Sequence, residues 1–134
     1  MQSGKKFEEI FFENFMPDGY YGSSLRKATE KQDLEEGTDF FYDGIRFDIT
    51  EDFSGKDNMA EGFQAEVDLP WAWIQLGIRT GNKKQQFEEP VVVIGVFAYS
   101  YESAKKVVFQ LSEHWSEIFE KAFDLWCEYD DQRN

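Results

Sequence analysis

The chain has 134 residues, a net charge of −13 and 24 aromatic side chains (14 Phe, 4 Trp and 6 Tyr). That length suits one domain with a core of its own, and the aromatic content excludes an intrinsically disordered chain. A lone cysteine, Cys127, excludes an intrachain disulfide, and no run approaches the roughly 18 apolar residues of a membrane helix.

Residues 5–15 place Phe7, Ile10, Phe11 and Phe15 at spacings of three and four, which predicts a short amphipathic helix. Pro17, Asp18 and Gly19 end it, and residues 20–24 read as a turn-rich link. Ser24 is the candidate cap of a second helix over 24–34, with Leu25, Ala28 and Leu34 as its apolar positions. Asp43 and Gly44 then stand between β-rich runs, the strongest short-range hairpin signal. Ile45, Phe47 and Ile49 alternate with Arg46, Asp48 and Thr50, giving one apolar and one polar face. Residues 51–66 read as a loop or a short helix around Met59. Residues 71–79 have strand composition, and 80–89 are polar with a turn at Gly81 and Asn82. Pro90 precedes a continuous apolar run, "VVVIGVF", that suits a strand covered on both faces. Finally, Ala104, Val107, Val108, Leu111, Trp115, Ile118, Phe119, Ala122, Leu125 and Trp126 form one stripe, predicting a single long helix over 102–128 capped by Ser100 or Ser103. The expected fold is α+β: one domain over 1–134, with a mainly antiparallel or mixed sheet of about four strands. The short N-terminal helix and a long C-terminal helix complete it, the latter packed on one face.

The start, Met1 to Lys6, does not read as a signal peptide, so a cytoplasmic location is expected. The charge is uneven. Residues 30–68 carry 13 Asp and Glu against Lys31, Arg46 and Lys56, so that 3 − 13 = −10. Such a surface repels bare nucleic acid and attracts basic protein. Asp43, Glu51, Asp52, Asp57, Glu61 and Glu66 are the candidate partner-binding residues. The plainer reading is a solvated face that serves solubility.

A two-residue loop at Asp43 and Gly44 pairs Tyr42 with Ile45, Phe41 with Arg46, Phe40 with Phe47, and Asp39 with Asp48. Like charges opposite each other destabilise a strand pair. A bound cation, a shared proton or exposure to water would offset that repulsion. Mg²⁺ commonly takes one or two carboxylates. The expectation is exposure, with no cofactor; the alternative is Mg²⁺ or Mn²⁺ on Asp39 and Asp48. This segment, Asp39, a hairpin and then Asp48-Ile49-Thr50, resembles the active-site hairpin of the PD-(D/E)XK nuclease superfamily. The resemblance covers about 15 residues. It implies that Asp39 and Asp48 are catalytic metal ligands, that a lysine positions the attacking water, and that a helix joins the third and fourth core strands. Thr50 stands at the lysine position; Lys56 is the nearest downstream lysine, and residues 80–89 offer no such helix.

His114, the only histidine, lies beside the apolar stripe and reads as structural. Cys127 reads as a partly buried residue rather than a nucleophile. Trp71 and Trp73 would share a strand face; core packing under the helix is expected, an exposed platform for a partner being the alternative. "GIRTGN" lacks the lysine and spacing of a phosphate loop and reads as a turn. Two functional classes remain. The expected one is a non-catalytic acidic interaction protein that binds a basic, nucleic-acid-binding protein, with no direct nucleic-acid or membrane contact. In character it resembles the small nucleic-acid-mimicking inhibitors by which phages and mobile elements block host nucleases. The alternative is a metal-dependent PD-(D/E)XK-like nuclease using Asp39 and Asp48.

Overall fold

The computed structural model describes residues 6–17 and 24–133. Helix α1 spans Phe7–Asn14 and strand β1 Leu25–Lys27, followed by helix α2 at Glu30–Glu36. Five strands come next: β2 Phe40–Tyr42, β3 Ile45–Thr50, β4 Met59–Asp68, β5 Trp73–Gly81 and β6 Gln86–Gly95. Helices α3 Tyr101–Glu113 and α4 Trp115–Arg133 close the chain. The fold is α+β, as expected. The sheet, however, has six strands in the order β1-β2-β3-β6-β5-β4, not about four. It is mixed: β3 runs parallel to β6 and every other neighbour is antiparallel.

The hairpin follows the register read from the Asp-Gly turn, with Phe40 opposite Phe47 and Tyr42 opposite Ile45. Asp43 and Gly44 both have positive φ, 49° and 78°, the geometry that the tight turn needs. Phe40, Phe47, Ile49, Ile94, Leu76 and Ile78 line the face beneath α1, α3 and α4 and are buried. Trp115 sits at the centre of that layer. Its ring lies 5.1 Å from Phe15, 5.2 Å from Tyr42 and 5.4 Å from Phe47, centroid to centroid. Leu111 is buried with it, whereas Phe119 and Trp126 are only half-buried.

Four expectations are corrected. The helix expected over 24–34 is a short strand and then α2, because Thr29, not Ser24, caps it: Thr29 and Gln32 form a capping box. Residues 51–66 hold no helix; after a loop they enter β4, a ten-residue edge strand. The single C-terminal helix is two, divided at His114. Ser112 bonds back to the Val108 carbonyl at 3.0 Å and accepts the Met16 N–H at 2.9 Å, an arrangement that bends helices and here ties α3 to the end of α1. Trp71 and Trp73 are not core: they are 79% and 44% exposed. Ser100 caps α3 as expected, with Ser103. The link expected over 20–24 lies, except for Ser24, outside the described residues. Among the described residues no helix is long and apolar enough to cross a membrane.

Candidate functional site

Loop 51–58 crosses the second face of the sheet, opposite the helices. Gly95 and Gly77 make room for it: a Cβ on Gly95 would lie 2.7 Å from Phe53, and one on Gly77 2.9 Å from the same ring. With Phe53 seated there, the loop brings Lys56 back over the hairpin. Lys56 Nζ lies 2.9 Å from Asp48 Oδ2. It acts as a charge rather than as an aligned donor, since that oxygen accepts no hydrogen bond among the described residues. Arg79 approaches the same oxygen at 4.0 Å and holds Asp57 at 2.7 Å.

Asp39 and Asp48 are therefore not a pair tolerating each other in water, as the alternation of the hairpin implied. Each is only 5% exposed. The Asp39 backbone N–H donates to Phe47 O at 2.8 Å, and Ile49 N–H donates to Asp39 Oδ2 at 2.9 Å. The two carboxyls share a hydrogen bond. Burial, then that hydrogen bond and the Asp48 charge, push the Asp39 carboxyl far above the usual carboxylate range, against the smaller opposing effect of the Ile49 N–H. Asp39 thus carries the shared proton, and Asp48 faces it on one side and Lys56 on the other.

Two further acids reach this point from elements that sequence reasoning did not connect with it. Glu8 of α1 and Asp33 of α2 each bring a carboxylate oxygen within 4.8 Å of the other's and of Asp39's. Burial raises the Glu8 pKa, as do the charges of Asp33 and Asp48, while Lys27 opposes them. No sequence signal marked Glu8 or Asp33, because each sits on the polar side of a short helix whose placement depends on tertiary packing. Three carboxylates suit a hard, oxygen-seeking cation. Asp39 is the difficulty, since its carboxyl is already committed to Ile49 and Asp48. Residues 80–89, where the helix implied by the resemblance was sought, form the end of β5, a turn and the start of β6.

The candidate partner-binding residues are distributed over the hairpin turn, loop 51–58 and β4. Asp43 is exposed at the hairpin turn, and Glu51, Asp52, Glu61 and Glu66 are exposed elsewhere. Asp52 Oδ1 accepts the Gly55 N–H at 3.1 Å, so it also shapes the loop. Asp57 is half-buried, and its hydrogen bond from Arg79 lowers its pKa. His114 ends α3, and Cys127 is half-buried. Comparison with protein families, with curated proteins and with solved structures finds no match for this chain.

Proposed function

We propose that this chain is a non-catalytic acidic interaction protein that engages a basic, nucleic-acid-binding protein. One observation carries the reading. Glu61, Glu66 and Asp68 are exposed on the edge strand β4, and Glu117, Glu120, Asp124 and Glu128 are exposed on α4, which packs beside it. None of these seven forms an ion pair among the described residues. Lys121, which donates to the Glu66 carbonyl at 3.3 Å, offsets only part of this charge, and a field mainly of one sign steers a partner of the other. The same field opposes a polyanion, which argues against direct nucleic-acid binding.

The test is capture from an extract of the cell that encodes the chain. The wild type is compared with a Glu61→Lys, Glu66→Lys, Asp124→Lys variant. These positions are chosen because Asp52 and Asp57 have structural partners. The expected result is a basic nucleic-acid-binding protein enriched by the wild type and lost with the variant. With that partner purified, the association rate should fall at least about tenfold between about 0.05 and 0.5 M salt, the dissociation rate changing less. Capture indifferent to charge reversal would sink the reading.

A second reading is favoured by the convergence of Glu8, Asp33 and Asp39 beside Asp48 and Lys56. It is a metal-dependent nuclease of the PD-(D/E)XK kind, with Mg²⁺ or Mn²⁺ on the carboxylates and Lys56 in place of the missing motif lysine. It predicts that millimolar Mn²⁺ raises the melting temperature. It also predicts cleavage of DNA or RNA that Asp39→Asn and Lys56→Ala both abolish. Under the preferred reading neither effect appears.

A further inference from the structure

A cleft of about 750 Å³ opens at the end of the sheet where β5 begins and β6 ends. Trp71 and Trp73 form one side, Phe97 and Tyr99 another, Phe53 part of the floor, and the first turns of α3 the remaining wall. Phe97 is 63% exposed and Tyr99 75%, and their rings meet edge to face at 4.7 Å. Four large aromatics held in water around one concavity are not core that failed to pack. Their neighbours Val96, Val107 and Ile74 are buried. Single exposed apolar residues are ordinary, but a contiguous group marks a contact surface.

The rim decides what kind of contact. Glu51 and Asp52 border the cleft, and burial raises the Glu51 pKa. Lys106 lines the α3 wall, which directs a cation to the Glu51 and Asp52 side. Indole faces attract cations, guanidinium stacks on them flat, and a carboxylate completes the neutralisation. A phosphate-bearing base would find stacking surfaces but meet the two carboxylates and the overall charge of −13. We infer that this cleft receives an arginine side chain from an extended segment of the partner protein, held against Trp71 and Trp73 with its guanidinium toward Glu51 and Asp52. The inference rests on the proposed function and gives it a contact point that adjoins β4, where Asp68 pairs with Trp73 and Glu66 with Gln75, and is distinct from the acids of α4.

A tetra-arginine peptide is the probe, read by the emission of the exposed tryptophans. A tetra-citrulline peptide, similar in shape but uncharged, is its control. The wild type should show a saturable emission change with arginine and none with citrulline. Trp71→Ala, followed by the emission of the remaining tryptophans, and Glu51→Gln should each weaken binding about tenfold, with the melting temperature unchanged. An edge variant on α4, Asp124→Lys with Glu128→Lys, should weaken it less than either. If the edge variant abolishes binding and Trp71→Ala does not, the cleft assignment falls while the acidic-partner reading stands. Equal binding of citrulline, or no arginine binding at all, overturns the cleft assignment; the extract capture then judges the broader reading alone. Self-association lost in Trp71→Ala also overturns it, because the cleft would then be a contact between copies of this chain.

Discussion

Replacing Trp115 with alanine should destabilise the fold by about 3 kcal/mol, lowering the melting temperature by roughly 10 °C. Removing a buried aromatic of this size ordinarily costs about 3–5 kcal/mol. The lower end applies because the indole N–H is buried without a hydrogen-bond partner among the described residues, and its removal returns about 1 kcal/mol. The remaining cost comes from the ring, which touches Phe15 from the end of α1, Phe40 and Tyr42 of β2, Phe47 of β3 and Phe119 of α4. Among the described residues Phe40 joins as many elements, meeting α1, β3 and Trp115 itself. Trp115→Phe keeps most of that contact and loses the orphaned donor, so it should cost less than about 1.5 kcal/mol. Thermal melts of the two variants check both figures. Equal, large losses in both would mean that the N–H has a partner and that the ring is not the source of the stability.

Trp115 was legible because its position follows from periodicity alone: the stripe of Ala104, Val107, Val108 and Leu111 continues through it. The hairpin was legible because Asp43 and Gly44 carry the one conformation that the turn requires, and the register follows by counting. Features set by packing between distant segments were not. The break at His114 depends on a serine hydroxyl meeting the end of α1, and no glycine or proline announces it. Strand β4 escaped because it is an edge strand, with Glu61, Gly62, Gln64 and Glu66 facing outward, and its pattern resembles a charged loop. Trp71 and Trp73 were misplaced for a related reason. Strand composition says that a tryptophan belongs on a sheet face, but not whether a helix covers that end of it. At the acidic site, the facing of Asp39 and Asp48 was readable. Their burial was not: that of Asp48 depends on Phe53 settling over Gly77 and Gly95 and carrying Lys56 with it, and Asp39 meets Glu8 and Asp33 only once α1 and α2 are packed.

The hairpin carboxylates should respond to neutralisation in opposite directions, although as an exposed pair they would respond alike. Asp39 has a pKa near 3.9 in an unfolded chain and a far higher one in the fold. A carboxyl raised in this way contributes its full stability below about pH 4, and the contribution is lost as pH rises toward the folded value, because the unfolded chain releases a proton that the folded one keeps. Asp39→Asn fixes the neutral form, and its amide oxygen can still accept the Ile49 N–H while its NH₂ donates to Asp48. The variant should therefore match wild-type stability near pH 4 and exceed it by about 1–3 kcal/mol at pH 8. Asp48→Asn does the reverse. It leaves Lys56 and Arg79 without their shared carboxylate, and since Lys56 is a quarter exposed the loss should be about 1–3 kcal/mol at neutral pH, less than for a fully buried pair. Denaturant melts of the three proteins at pH 4, 6 and 8 separate the cases. A gain for Asp39→Asn that does not grow with pH removes the shared proton from the account. If Asp39→Asn is instead destabilising, and Mn²⁺ stabilises only the wild type, the carboxylates are held together by a cation and the nuclease reading takes precedence.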